Sequence, residues 1–149
     1  MNVLISACLL GLACRYDGQS KEYSAVQALL KKADIHLIPF CPEQGGGLAT
    51  PRDPAERQGG AVRTKSGRDV TEQYRRGAAM ALNLAKTFGC TVAVLKEKSP
   101  SCGSGRIYDG TFTQTLTAGD GVTVELLKKH GIAVVGESQI EKFLSQALT

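Results

Sequence analysis

The sequence predicts an α/β protein in which a mostly parallel central sheet lies between two layers of helices, a three-layer, Rossmann-like fold. Short apolar runs alternate with segments of helical periodicity along the 149-residue chain. The segments between these runs are long enough for the helical crossovers that parallel strands require. Such alternation is typical of doubly wound α/β folds. We expect a single domain over residues 1–149, because this length suits one core that needs no disulfides.

Four apolar runs predict the strands of the central sheet. Each is short, rich in valine, isoleucine or leucine, and bounded by residues typical of turns. The predicted strands are 2–7, 35–40, 91–95 and 132–135.

Four further segments carry apolar residues at helical spacing. Gly89 and Gly131 are expected to end two of these helices, because glycine readily adopts the left-handed conformation that follows a helix. Ser24 and Ser138 are the candidate N-caps of two others. The predicted helices are 24–33, 69–88, 120–130 and 138 to about 148.

Two long segments are predicted as irregular. The segment 41–68 contains six glycines and three prolines, and so long a loop is uncommon in a compact domain unless it is functional. The segment 96–117 is expected to be a loop that contains a hairpin around Asp109-Gly110, a typical turn signal.

Composition and charge exclude several functions. No apolar run approaches the ~18 residues of a membrane span, and the N-terminus lacks the basic region of a signal peptide, so we expect a cytoplasmic protein without membrane contacts. The net charge of +4 is modest and tryptophan is absent. A small anionic or nucleotide-like substrate is therefore expected rather than duplex nucleic acid. The sequence does not indicate an oligomeric state.

Three of the five cysteines follow predicted strands. Cys8 and Cys41 directly end two strands, and Cys102 follows a third strand after a short polar turn. The carboxyl ends of parallel strands form the ligand crevice of an open α/β sheet, so these thiols are expected to converge. Because cytoplasmic thiols serve metals or catalysis more often than disulfides, we interpret them as a metal site.

The residues alone leave the type of metal open. Thiolates favour zinc, copper(I) or iron–sulfur clusters, and the C-x₂₋₄-C knuckles of structural zinc sites are absent. Three thiolates on a [4Fe–4S] cluster would leave one iron open to a substrate sulfur. The alternatives are three unrelated buried cysteines, or a zinc site completed by His36 or His130. Both histidines are expected to be structural, as is Cys90, whereas Cys14 fits a fourth ligand, a packed thiol or a redox-active neighbour.

Polar residues beside the candidate ligands suggest catalysis. Glu43, two residues after Cys41, is a candidate general acid or base; alternatively, it caps a helix or pairs with Arg52. The hydroxyl of Ser101 lies beside Cys102.

The glycine run of the long loop suggests substrate binding. Gly45, Gly46 and Gly47 would let the backbone approach a ligand closely and offer N–H groups to an anion, with Arg52 nearby. The spacing matches neither a Walker A loop nor a dinucleotide fingerprint.

Three segments together resemble the signature blocks of the 2-thiouracil desulfidase family, in the family's order. They are Cys8-Leu-Leu-Gly-Leu-Ala-Cys-Arg-Tyr-Asp-Gly18, Phe40-Cys-Pro-Glu43 and Lys98-Ser-Pro-Ser-Cys-Gly103. The similarity extends over nearly the whole chain, including 45–52 and 67–71.

The resemblance implies a [4Fe–4S] cluster held by Cys8, Cys41 and Cys102, with the fourth iron capturing the sulfur of a thiolated uracil-type base. That sulfur is then replaced by oxygen from water without net redox chemistry. Glu43 and Ser101 would be the nearby catalytic groups, and the substrate a thiolated pyrimidine base, nucleoside or nucleotide. Some relatives carry a second domain, which this chain is expected to lack, so its substrate could be smaller or different.

Two other classes of function remain as alternatives. A zinc-dependent hydrolase at the same crevice would contain stoichiometric zinc, although the H-x-E and C-x-x-C pattern of zinc deaminases is absent. A non-catalytic nucleotide-binding or cluster-sensing module would bind a ligand without turnover.

Overall fold

The computed structural model describes residues 1–19 and 23–147. The strands are β1 (Asn2–Ser6), β2 (His36–Phe40), β3 (Ala55–Gln58), β4 (Ala61–Thr64), β5 (Val92–Leu95), β6 (Arg106–Tyr108), β7 (Leu116–Ala118) and β8 (Ala133–Gly136). The helices are α1 (Ser24–Leu30), α2 (Pro42–Gly45), α3 (Thr71–Thr87), α4 (Val122–Lys129) and α5 (Ile140–Ala147).

The central sheet has four strands in the order β2-β1-β5-β8, and every neighbouring pair is parallel. All four predicted strands are present, and each matches its predicted range within one residue. β1 lies between β2 and β5, so the strands that lead to Cys8, Cys41 and Cys102 are direct neighbours. Ser6 lies opposite Phe40 of β2, so β1 and β2 end at the same edge of the sheet.

Helices cover both faces of this sheet, which confirms the predicted fold class. Side chains alternate between the faces of a strand. In β1, Val3 and Ile5 pack towards α1 and α5, whereas Leu4 packs towards α3 and α4. These three side chains are almost completely buried, and burying each stabilises the fold by about 1.5–3 kcal/mol. Among the described helices, none is both long and apolar enough to span a membrane.

The long helix α3 supports the short helix α2 at very close range. A β-carbon at Gly46 would overlap the carbonyl oxygen of Gln73, and one at Gly77 would overlap the carbonyl oxygen of Pro42. The two backbones therefore touch where side chains would otherwise separate them. α3 ends at Thr87, and Gly89 follows it with a left-handed φ of +65°, as its sequence predicted.

The segment 41–68 is not irregular, so that prediction was wrong. It contains α2 and the antiparallel hairpin β3–β4, whose strands are joined at Gly59-Gly60. Gly59 has a φ of +62°, a conformation that suits glycine in a tight hairpin turn. The hairpin escaped prediction because its strands are only four residues long and mostly polar.

The segment 96–117 contains the predicted hairpin, formed by β6 and β7, but not its predicted turn. Tyr108 pairs with Leu116, so the connection is 109–115 rather than Asp109-Gly110 alone. The connection is anchored on β3 instead, because the buried carboxylate of Glu56 accepts hydrogen bonds from the backbone N–H groups of Gly110 and Phe112, at 2.9 and 3.1 Å.

Neither predicted serine is an N-cap. Ser24 is the first residue of α1, with Tyr23 at the N-cap and no capping side chain. Ser138 lies within a 3₁₀ turn that precedes α5, and its hydroxyl and backbone N–H donate to Glu97. The predicted end of the last helix near Leu148 lies outside the described residues.

Candidate active site

Two of the candidate ligands leave neighbouring strands at one edge of the sheet. Cys8 lies in the 3₁₀ turn Ala7–Leu10 directly after β1, and Gly11 closes this turn with a φ of +94°. Cys41 follows β2 directly and is the N-cap residue of α2. Cys8 is buried, and Cys41 is partly buried.

Cys102 reaches the same edge from a compact turn after β5. The hydroxyl oxygen of Ser99 accepts hydrogen bonds from the backbone N–H groups of Ser101 and Cys102, both at 3.1 Å. The hydroxyl of Ser6, the last residue of β1, accepts a hydrogen bond from the backbone N–H of Lys96 at 2.9 Å. This contact links the segment after β5 to the strand that precedes Cys8.

Cys8, Cys14, Cys41 and Cys102 lie close enough to affect one another's ionisation, and we call these four the thiol cluster. Cys41 and Cys8 both shift the pKa of Cys14, and the sulfur of Cys41 lies 3.7 Å from the carbonyl oxygen of Cys14. Cys102 interacts electrostatically with Cys41. Cys90, by contrast, is buried among apolar side chains between α3 and the sheet, where it acts as the small hydrophobic residue that was expected.

The surroundings keep Cys14, Cys41 and Cys102 protonated in the absence of a bound cation. Burial raises the pKa of Cys102 to about 12. The hydrogen bond from Cys41 lowers the pKa of Cys14, but the hydrogen bond to Cys8 and burial outweigh it and raise the pKa to about 11. The hydrogen bond with Cys14, followed by burial, raises the pKa of Cys41. Only a positively charged group in the cluster would stabilise several thiolates together.

The donor set suits an iron–sulfur cluster better than a single ion. Among the described residues, no three His, Cys, Asp or Glu side chains are grouped so that they could hold one metal ion. In a [4Fe–4S] cluster each cysteine bonds a different iron, so its ligands stand further apart than those of one ion. His36 begins β2, at the edge opposite to the cysteines, and the His130 ring lies 3.0 Å from the carbonyl oxygen of Leu126. Neither completes a zinc site with the thiols.

Glu43 is held between two side chains beside Cys41. The hydroxyl of Tyr74, on α3, donates to Oε1 of Glu43, and Nη2 of Arg52 donates to Oε2 at 2.7 Å. The pairing with Arg52 is one of the two structural alternatives considered for Glu43. Tyr74 was missed, although a tyrosine among the small residues on the buried face of α3 signals a hydroxyl that needs a partner.

Arg52 is bound mainly by the protein itself. Nη1 donates to the carbonyl oxygen of Ala49 and the hydroxyl of Thr50, both at 3.1 Å, and Nη2 donates to the carbonyl oxygen of Cys14 at 3.0 Å as well as to Glu43. Burial would lower the pKa of Arg52, but the charge of Glu43 outweighs it and raises the pKa. Of the five N–H donors of an arginine, only that on Nε lacks a partner among the described residues.

The glycine run 45–47 has a clear packing role. Gly45 ends α2, and a β-carbon there would overlap the ring of Phe40; Gly46 contacts the backbone of α3 as described above. Gly47 has a φ of +100°, which other residues rarely adopt. These glycines therefore set the position of α2, and with it the position of Glu43.

Ser101 is buried against the first turn of α4. Its hydroxyl lies 2.8 Å from that of Thr123, and its carbonyl oxygen accepts hydrogen bonds from the backbone N–H groups of Thr123 and Val124. Gly121 allows this approach, because a β-carbon there would overlap the backbone of Ser101. Ser101 also shares a hydrogen bond with Cys102. Thr123 was not predicted, since nothing in its local sequence distinguishes it from an ordinary helix residue.

Comparisons with known proteins agree on one family. A family model described as 2-thiouracil desulfurase matches residues 3–139. A Bacillus subtilis (strain 168) relative, the uncharacterized protein YbbK, is 43% identical in an alignment that is 154 residues long. This alignment covers 95% of this chain and 99% of the relative. The solved structure of a [4Fe-4S]-dependent thiouracil desulfidase, TudS, is 50% identical and superposes with a TM-score of 0.91, covering 99% of each chain.

Proposed function

The chain belongs to the 2-thiouracil desulfurase family, and from this premise we propose that it is an enzyme that removes sulfur from thiolated uracil-type bases with a [4Fe–4S] cluster. The observation that carries the proposal is the thiol cluster at the carboxyl edge of the sheet, beside the bound carboxylate of Glu43. The 50% identity to a [4Fe-4S]-dependent thiouracil desulfidase supports both the cofactor and the reaction.

Cys8, Cys41 and Cys102 would hold the cluster. They follow three adjacent parallel strands, whose carboxyl ends lie at one edge of the sheet. When bound by three cysteines, the cluster supplies an iron without a protein ligand, which acts as a Lewis acid towards a soft thiocarbonyl sulfur. Cys14 is left over as a neighbour of two ligands.

The reaction exchanges the sulfur of C=S for oxygen from water. The thiocarbonyl carbon and water give C=O and hydrogen sulfide, so no electrons are gained or lost. Glu43 would act as the general base that takes a proton from the attacking water. Each carboxylate oxygen can accept more than one hydrogen bond, so Glu43 retains acceptor capacity after binding Tyr74 and Arg52.

Ser101 would assist by donating a proton or a hydrogen bond near Cys102. The hydroxyl oxygens of Ser101 and Thr123 lie 2.8 Å apart, so this hydrogen bond restricts the position of the Ser101 hydroxyl before substrate binds. This pre-organisation is what a catalytic hydrogen-bond donor requires.

The substrate would be oriented by the segment 45–52. Gly45, Gly46 and Gly47 are proposed to let the base or a phosphate approach the backbone, and the unpartnered Nε–H of Arg52 is the one donor of that side chain left for a ligand. A thiolated base, nucleoside or nucleotide would each fit this proposal. The reduced thiols suit a cytoplasmic location.

Anaerobic reconstitution provides the test. The reconstituted protein is expected to contain about four irons and four sulfides, the composition of one [4Fe–4S] cluster, and to convert 2-thiouracil into uracil and sulfide. Cys102→Ser should lose both the cluster and the turnover. Cys90→Ala is the matched control, because this thiol lies outside the thiol cluster. Full activity in Cys102→Ser, or a wild-type protein that assembles no cluster, would reject the proposal.

A further inference from the structure

We propose that Tyr74 is a positioning residue of the active site, which fixes the carboxylate of Glu43 together with Arg52. The inference rests on the proposed function of Glu43 as the general base and deepens it. The two oxygens of the carboxylate are bound separately: Oε1 accepts from the hydroxyl of Tyr74, and Oε2 accepts from Nη2 of Arg52 at 2.7 Å.

The two donors reach Glu43 from different parts of the fold. Tyr74 belongs to α3, whereas Arg52 belongs to the segment between α2 and β3. A carboxylate with one partner can still turn about its terminal bond, but one held at both oxygens has a single orientation. Positioning a reacting group in this way is a large part of enzymatic rate acceleration.

Tyr74 is itself held in place by packing. Its side chain is 2% exposed and contacts Val62 and Val70, both fully buried. The close backbone contacts at Gly46 and Gly77 fix the distance between α2 and α3, and therefore the distance between Glu43 and Tyr74. The ring is thus a rigid support and its hydroxyl is the part that contacts the site.

The hydroxyl is a permanent donor. Burial, followed by the charge of Glu43, raises the pKa of Tyr74 well above its ordinary value. The group therefore stays protonated at any pH at which the protein functions, and it cannot replace Glu43 as the base. Its contribution is to stabilise and orient the charged form of the carboxylate.

Tyr74→Phe removes this hydroxyl and keeps the ring. In the reconstituted enzyme we expect an unchanged iron content, a kcat about tenfold lower, since positioning and acid–base terms of this kind are typically worth at least that much, and little change in KM. Tyr23→Phe is the matched control, because Tyr23 is the exposed N-cap residue of α1. This variant should leave iron content, kcat and KM unchanged.

The double variant separates positioning from a purely structural role. If Tyr74 acts through Glu43, Tyr74→Phe should have no further effect on kcat in the Glu43→Gln background. Equal effects of Tyr74→Phe in both backgrounds would overturn the inference. A wild-type enzyme that does not release sulfide would instead reject the proposed function.

A second variant covers the case in which Tyr74→Phe fails to fold. Replacing Tyr74 by 3-fluorotyrosine keeps both the ring and the hydroxyl donor. In the protein without its cluster, the ¹⁹F NMR signal of this residue should shift when Glu43→Gln is introduced, because the partner of the hydroxyl changes. An unchanged ¹⁹F signal would also overturn the inference, independently of any turnover.

Discussion

The guanidinium of Arg52 lies 2.7 Å from the carboxylate of Glu43, and the two side chains are only 8% and 17% exposed. Such a partly buried pair differs from the surface pair of Arg63 and Asp69, in which both side chains are about half exposed and 3.9 Å apart. Burial makes each partner of the first pair dependent on the other, because an unpaired charge in this environment is costly.

Arg52→Met is therefore expected to destabilise the protein by about 1–3 kcal/mol, since it leaves Glu43 as a partly buried charge without its ion-pair partner. Urea unfolding of the protein without its cluster measures this free energy. Arg63→Met is the matched control and should cost less than about 1 kcal/mol, as exposed pairs generally do. Equal losses in the two variants would contradict the view that the Glu43 pair is energetically special.

The close contact of α2 with α3 leads to a second prediction. Gly46→Ala places a methyl group against the carbonyl oxygen of Gln73, so α2 must move away from α3. We expect a loss of stability of about 1–3 kcal/mol, typical of overpacking, and a lower kcat because Glu43 moves with α2. Gly60→Ala, where a β-carbon meets no atom within 4 Å, is the control. A variant at Gly46 with wild-type kcat would show that this spacing does not matter for catalysis.

Much of this architecture follows from local sequence. The strands of the central sheet were predictable because runs such as Val92–Leu95 are apolar and bounded by turns, and burial between two helical layers demands that composition. The hairpin β3–β4 was not predictable, because most of its side chains are polar. Only its contacts with the rest of the chain make these segments a strand pair.

The candidate site shows the same division. The placement of Cys8 and Cys41 after parallel strands predicted their common edge, since strand direction alone determines it. The contact between Tyr74 and Glu43 joins residues 31 positions apart, and the role of Gly46 depends on a carbonyl oxygen of another helix. Neither contact leaves a local pattern, so both required the three-dimensional structure.

The position of Cys14 leads to a third prediction. Its carbonyl oxygen lies 3.7 Å from the sulfur of Cys41, and both Cys41 and Cys8 shift the pKa of its thiol, yet the proposed ligand set is complete without it. Cys14→Ala should therefore keep the full iron content after reconstitution, while Cys8→Ala and Cys41→Ala should lose most of it. Iron and sulfide analysis of the three variants, prepared side by side, measures the difference. If Cys14→Ala lost as much iron as Cys8→Ala, the prediction would be wrong, because Cys14 would then be a ligand.

The raised pKa values of the thiols predict alkaline sensitivity of the protein without its cluster. The thiol of Cys102 ionises near 9.0 in the unfolded chain and near 12 in the folded protein, so the folded state holds its proton more tightly. The stability from this group is fully present below pH 9 and is lost as the pH rises towards 12. The urea concentration at which half of the reduced protein is unfolded should therefore decrease when the pH is raised from about 8 to about 10.5. These pH values lie about one unit below and about 1.5 units above the pKa of the thiol in the unfolded chain. Cys102→Ala removes the thiol that would ionise, so the urea midpoint of this variant should decrease less over the same pH range. An equal fall in the variant and the wild type would mean that other groups account for the alkaline transition, and that the interior around Cys102 tolerates a thiolate without a metal.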